Sequence, residues 1–299
     1  MLCRCCYADS RLQAVKVARR ELDGGLSPRQ QQNFLLEALI TAQFNHPNIV
    51  GLFGVVMSED PGCLLVLQYC EKGSLLKVLR TECTETTIAT LLRYSLGIAR
   101  GMEQIASRSI VHRDLACRNV LVDTMDCPRV ADFGLTRETR ASATEPASSE
   151  LPSTKYYRTV DVMGMLPVPW LAPEALQENI YTEGTDLWSF AITLVEVFTK
   201  GVQPHSGITF QEIVFKVCDG YVIPKPVNCP GELYERVIKP CLAFDGRERP
   251  RFGQVVAELE AITNKLADSS VKVDFLQQDY EAWETSPYSI TSLKRPGSD

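Results

Sequence analysis

One stretch, Val111-His112-Arg113-Asp114-Leu115-Ala116-Cys117-Arg118-Asn119-Val120-Leu121-Val122, constrains this chain more than any other. A strand-like apolar run enters a charged loop, and a second, Val120-Leu121-Val122, leaves it. Between them lie the carboxylate of Asp114, the guanidiniums of Arg113 and Arg118 and the amide of Asn119. A carboxylate accepts a hydrogen bond from an incoming hydroxyl, and an amide oxygen ligates a hard cation. Further on, Ala131-Asp132-Phe133-Gly134 sets another carboxylate in a turn that glycine closes most easily. Ala172-Pro173-Glu174 follows.

Composition narrows the setting. A chain of 299 residues can hold one large domain or two modest lobes around a cleft. Its 45% hydrophobic and 23% charged residues are ordinary for a globular protein. A net charge of -6 argues against general binding to nucleic acid or anionic membranes. The longest apolar run, Leu187 to Phe198, is interrupted by Thr193 and Glu196 and falls short of the ~20 residues a membrane helix needs. Met1 to Cys6 lacks the apolar core of a secretory signal. Eleven cysteines at irregular spacings, several in apolar runs, read as reduced thiols in an intracellular compartment.

Local patterns give the elements. Leu12 to Ala18 reads as a strand, with Lys16 amid apolar neighbours. Pro28 to Phe44 reads as a helix with Phe34, Leu35, Leu39 and Ala42 on or near its buried side, and Glu37 lies within it. Strands are expected over Val50 to Met57 and Leu64 to Leu67, and a long helix over Thr86 to Ser107 leads into the charged loop. Asp186 begins an apolar helix, and smaller helices are expected around Phe210 to Cys218, Leu233 to Leu242 and Phe252 to Leu266. Glu138 to Thr154, rich in Ser, Ala, Thr, Glu and Pro, reads as mobile.

The loop motif, then Asp-Phe-Gly, then Ala-Pro-Glu, in that order, resembles the signature set of the protein kinases. The resemblance covers about Gln13 to Ala261 and implies an α+β, two-lobed fold. A shortened β-rich small lobe would span 1–67, the hinge 68–73 and a mostly helical large lobe 74–266, with the activation segment at 132–174 and an extended tail at 267–299. It also implies the cofactors ATP and Mg²⁺. Lys16, held by Glu37, would fix the α- and β-phosphates, and Asn119 and Asp132 would hold the metal. Ala14, Leu67, Leu121 and the segment Gln68, Tyr69 and Cys70 would surround adenine. Asp114 would orient the acceptor hydroxyl, since a side-chain carboxylate is too weak a base to ionise a phenol of pKa ~10 before transfer.

Ala116 in place of the lysine that serine/threonine kinases usually carry two residues after the catalytic aspartate, with Arg118 further along and the shelf Leu166-Pro167-Val168-Pro169-Trp170, resembles the tyrosine-specific branch. Protein substrates bearing tyrosine are the implied partners. Paired Tyr156 and Tyr157 resemble those of insulin-receptor-like kinases, with Arg113 or Arg137 to receive a phosphate; Arg249 would pair with Glu174. Tail residues Tyr280 and Tyr288 suit capture by phosphotyrosine-binding partners. The location implied is cytoplasmic, or the cytoplasmic face of a membrane for a receptor.

Three departures from the pattern stand out: no glycine precedes Lys16, Gln68 replaces a common acidic residue, and Thr41 replaces a larger apolar residue that would stack with Phe133 and His112. The first departure predicts a Lys16 strand short of a neighbour, and it keeps a non-catalytic scaffold of the same fold as the alternative to an active enzyme.

Overall fold

The computed structural model describes residues 2–7, 11–17, 28–57, 63–81, 86–139, 157–158 and 167–266. The low-complexity run from 140 to 156, including Tyr156, and the tail from 267 onward lie outside the described residues.

The N-terminal part is a four-stranded antiparallel sheet in the order β1-β2-β4-β3. Its strands are β1 (Leu2–Tyr7), β2 (Arg11–Val17), β3 (Leu52–Met57) and β4 (Cys63–Gln68), and α1 (Pro28–Thr41) packs against it. The strand carrying Lys16 is therefore not an edge. It pairs with β1 through Leu2↔Lys16 to Tyr7↔Arg11, and with β4 through Gln13↔Gln68 to Val17↔Leu64. The expected loss of a neighbour is corrected by Leu-Cys-Arg-Cys-Cys-Tyr, a glycine-free run that satisfies one side of the ladder.

Directly opposed residues share a face of a sheet, so Ala14 with Leu67 and Lys16 with Leu65 point the same way. Leu65 and Leu67 on that face pack with Phe34 and Ala38 of α1. The same packing sets Glu37, one turn after Phe34 and next to Ala38, beside Lys16.

The hinge leads into β5 (Gly73–Ser74), α2 (Leu75–Thr81) and α3 (Ile88–Ser107), the last capped by Thr87, whose side chain accepts from Thr90 N. Gly101 of α3 is required by close approach: a Cβ there would lie 2.6 Å from the carbonyl oxygen of Asn48. Short strands frame the charged loop: β6 (Ile110–Val111) before it, β7 (Val120–Val122) and β8 (Pro128–Val130) after it, then β9 (Arg137–Glu138). β10 (Tyr157–Arg158) pairs with β11 (Ile180–Tyr181), and α4 (Pro173–Glu178) precedes β11.

At the centre of the larger part runs α5 (Glu183–Phe198), buried from Thr185 to Phe198, with a capping box between Thr182 and Thr185. A helix apolar on nearly every side belongs inside. Around it lie α6 (Phe210–Cys218), α7 (Gly231–Leu233), α8 (Lys239–Cys241) and α9 (Phe252–Lys265). The helix expected over Leu233 to Leu242 is interrupted by a π turn, Tyr234–Ile238. Pro240 explains the change of pitch, since proline lacks an N–H and its ring crowds the carbonyl four residues back. The result is a small sheet-containing lobe and a larger helical one, as the motifs imply. Six described cysteines, including Cys70 and Cys117, are free thiols, and among the described residues no helix is long and apolar enough to cross a membrane.

His205 leaves a measurable mark on stability. It is buried, its backbone is left-handed at φ 57°, and neither ring nitrogen has a hydrogen-bond partner. Burial, with Lys216 nearby, lowers its pKa to about 4. The unfolded chain therefore binds the proton first as pH falls, so the neutral ring's contribution is whole above about pH 6.5 and is lost towards pH 4. On the order of 3 kcal/mol of unfolding free energy is expected to disappear over that window. Urea unfolding from pH 4 to 7 should give a shallower pH slope for His205→Asn, whatever its absolute stability; equal slopes would remove the assignment.

Candidate active site

Two elements of the small lobe, β2 and α1, meet the Asp-Phe-Gly turn at one lysine. Lys16 Nζ donates to Glu37 Oε1 at 2.6 Å and to Asp132 Oδ1 at 2.8 Å. Burial alone would lower the lysine's pKa, but the two carboxylates outweigh it and the net direction is up. Asp132 is its mirror: burial would raise it, and Lys16 overcomes this to hold the carboxyl below its ordinary range. Glu37, the more deeply buried carboxylate, is pushed up by desolvation against the pull of Lys16. Asp132 adopts the left-handed region at φ 65°, and a Cβ on Gly134 would lie 3.3 Å from Asp132 Oδ1. Any larger residue there would crowd the Asp132 carboxylate.

The aromatic of that turn, Phe133, is buried and ordered by two rings. Phe44 stacks on it with centroids 5.7 Å apart, and His112 meets it edge-on at 5.4 Å. Thr41 supplies no such surface. Its hydroxyl is buried and donates to Glu37 O at 2.7 Å, so the ring contact comes from Phe44, just beyond the helix end.

Across the cleft, the charged loop holds Asp114 by both oxygens. Arg118 donates to Oδ1, and Asn119 Nδ2 donates to Oδ2 at 2.8 Å and to the Asp114 carbonyl at 2.7 Å. With its nitrogen so engaged, the planar amide of Asn119 turns its oxygen away from Asp114. That oxygen and the Asp132 carboxylate form a hard-donor set, and Mg²⁺ characteristically takes one or two such protein ligands alongside phosphates and water. The residues present fit that ion. They come from the two ends of one hairpin: β7 follows Asn119, β8 precedes Asp132, and Ala131 N donates to Asn119 O at 2.9 Å.

The adenine-site candidates fall around the hinge. Ala14 and Leu67 are cross-strand neighbours, and Leu121 lies in β7 opposite Ser74. Gln68 N donates to Gly51 O at 2.8 Å, and the Cys70 carbonyl accepts from Gly73 N at 3.1 Å. Tyr69 lies between them. At the far side of the hinge, Lys72 Nζ donates to Asp126 at 2.6 Å and Tyr94 Oη donates to the same oxygen at 3.1 Å, fastening the tip of the hairpin.

Arg113 stands at φ 70° with its guanidinium 4.1 Å from the Tyr181 ring centroid, and it donates to Leu135 O at 3.1 Å. Arg137 donates to Thr136 O at 2.7 Å. Tyr157 is described by backbone alone, opposite Tyr181.

Several site residues escape a reading of the sequence. Asp186 accepts from the backbone N–H groups of His112 at 2.7 Å and Arg113 at 3.0 Å. Burial raises its pKa to about 6 against those two bonds. Glu196 accepts from Trp170 Nε1 and Cys117 N, and burial pushes its carboxyl up as well. The signal available was a carboxylate inside an otherwise apolar helix. Arg249 and Glu174, by contrast, meet as expected, in a two-pronged pair at 2.7 and 2.9 Å.

Residues 2–259 match the family described as protein tyrosine and serine/threonine kinase. The chain is 38% identical over 250 residues to ephrin type-A receptor 8 of Rattus norvegicus, covering 84% of this chain and 63% of that protein. Against ephrin type-B receptor 2 of Gallus gallus the identity is 35% over 246 residues, covering 82% of this chain and 23% of the relative. For ephrin type-A receptor 1 of Homo sapiens the values are 37% over 254 residues, 85% and 24%. The chain belongs to the protein tyrosine and serine/threonine kinase family. It spans less than two thirds of the length of each of these three curated relatives.

The Arg249 pair yields a direct test. Its guanidinium also donates to Gly184 O at 2.7 Å, Ala243 O at 2.8 Å and Phe244 O at 3.2 Å. Lysine cannot reproduce that fork, so Arg249→Lys is expected to cost on the order of 2 kcal/mol, chiefly through buried carbonyls left without donors. Chemical denaturation should record it; a variant as stable as the parent would show that the fork is dispensable.

Proposed function

We propose that this chain transfers the γ-phosphoryl group of ATP to tyrosine hydroxyls of protein substrates. The observation that carries the reading is the opposition of two preset charge clusters: Lys16 with Glu37 and Asp132 on one wall, and Asp114 held by Arg118 and Asn119 on the other. Bound Mg-ATP supplies the phosphoryl group and the positive charge against its oxygens. Phosphoryl transfer asks little covalent help of a protein; positioning and electrostatics do most of the work.

In this reading Lys16 exchanges its bond with Asp132 for the α- and β-phosphates while Glu37 keeps it aimed. Asp132 and the Asn119 amide oxygen hold the metal ion. Ala14, Leu67 and Leu121, with the backbone of Gln68 to Cys70, enclose adenine. Asp114 has both oxygens already fixed, each with a lone pair to spare, and it accepts the substrate hydroxyl's hydrogen bond and takes the proton late. Tyrosine is favoured over serine by Arg118 and by the proline-stiffened shelf ending at Trp170, which leaves depth for a phenol ring. The relatives' receptor names support a setting on the cytoplasmic face of a membrane.

Regulation follows from the same charges. Phosphorylation of Tyr156 or Tyr157 would add about -1.5 to -2 charges and three acceptor oxygens, for which Arg113 or Arg137 is the proposed partner. Tyr280 and Tyr288 in the tail would serve phosphotyrosine-binding partners.

Asp114→Asn should lower phosphorylation of a poly(Glu,Tyr) polymer by about 10²–10⁴-fold with the thermal midpoint unchanged. An unaltered rate would remove Asp114 from its role, and a parent chain that binds Mg-ATP yet transfers nothing would favour the scaffold alternative. Mass spectrometry after incubation with Mg-ATP is expected to find phosphate on the Tyr156-Tyr157 pair. Phe at both positions should delay or lower activity, and full activity from the first minute would leave the switch unsupported.

A further inference from the structure

Glu196 touches neither of the charge clusters directly, yet it meets both walls of the acceptor side. It lies near the end of α5, 2% exposed. Its Oε2 accepts from Trp170 Nε1 at 2.8 Å and from Cys117 N at 3.0 Å. Trp170 closes the 3₁₀ turn Val168–Trp170 of the shelf, and Cys117 opens the 3₁₀ turn Cys117–Asn119 that carries Arg118 and Asn119. The Trp170 ring in turn lies 4.4 Å from the Arg118 guanidinium, which holds Asp114 Oδ1. One buried oxygen thus joins the shelf to the loop, and the indole face completes the circuit to the carboxylate.

An indole has a single donor, so its one hydrogen bond decides how the ring is rotated. The face it presents then sets where a planar guanidinium can stack. We propose that Glu196 is a positioning residue for the acceptor side of transfer: it fixes Trp170, whose ring seats Arg118 against Asp114 so that the carboxylate faces the incoming hydroxyl. The inference rests on the kinase activity proposed above. Neighbouring contacts support it. Ser189 donates to Trp170 O at 2.8 Å and Thr193 to Leu115 O at 3.3 Å, so the same face of α5 grips shelf and loop in turn. Lys16, Glu37 and Asp132 are supplied by β2, α1 and the Asp-Phe-Gly turn without Glu196, and Asn119, on the turn that Glu196 anchors, is held independently by its bonds to Asp114 and by Ala131 N.

The test uses the full chain with two substitutions, Glu196→Gln and Trp170→Phe. The first removes the anionic acceptor at constant shape; the second removes the indole N–H together with the pyrrole half of the ring and keeps a six-membered ring under Arg118. Calorimetric titration with Mg-ATP gives both the affinity and the fraction of competent sites, and rates on a poly(Glu,Tyr) polymer are expressed per competent site. The expected result is a tenfold or greater fall in kcat for each variant, with the Mg-ATP Kd within twofold of the parent. The double variant should be no worse than the poorer single one, because both changes cut the same link. An unchanged kcat, or a loss of Mg-ATP affinity in step with kcat, would overturn the inference, the latter by showing a general structural role. A parent chain that transfers no phosphate to tyrosine would overturn the kinase reading and this inference with it. An active parent with an unaffected Glu196→Gln overturns the inference alone.

Discussion

The cleft depends on a carboxylate that solvent never reaches. Asp186, at the start of the central helix, receives the backbone N–H groups of His112 and Arg113 and so fixes the entry to the charged loop. Arg113 sits in a left-handed conformation that costs a non-glycine residue about 1–3 kcal/mol. Two charge-assisted bonds to one buried carboxylate are of the size needed to offset it. Asp186, Ser189, Thr193 and Glu196 follow one another at helical spacing and form a polar stripe on a helix otherwise apolar beyond Thr185. Each member bonds the loop, the shelf or both. A buried polar group without a partner is expensive, so a fully bonded stripe admits few alternative placements of what it holds.

Much of this was legible from residue order. The loop motif and the Asp-Phe-Gly turn are short runs readable directly, whereas the Lys16–Glu37 and Arg249–Glu174 pairs, distant in sequence, follow only from the family resemblance those runs carry. Long helices were readable because apolar periodicity survives tertiary packing, as Ile88 to Ser107 illustrates.

The polar stripe was harder. Thr193 and Glu196 read as interruptions of an apolar run, because a sequence records that a polar residue is present and not which buried donor it meets. Phe44 was missed for a related reason. Thr41 occupies the position from which a stacking side chain was expected, and the ring that reaches Phe133 comes from beyond the helix terminus, where periodicity no longer predicts direction. The first strand carries no glycine to mark it, and pairing asks only for extended residues that fit a ladder. The break in the helix before Lys239 was signalled by Pro240, but its form, a wider turn instead of a stop, depends on the packing around it.

The hairpin of β7 and β8 has a mechanical consequence. Asn119 and Asp132 stand at its two feet, clamped together by the bond from Ala131 N to Asn119 O, while Lys72 and Tyr94 grip Asp126 at its tip. Lys16 belongs to the other lobe. A rocking of one lobe against the other therefore stretches the Lys16–Asp132 contact and leaves the spacing of the two oxygen donors unchanged. The cleft behaves as a vice with one fixed jaw: the two oxygen donors are machined into a single rigid piece, and only the lysine travels.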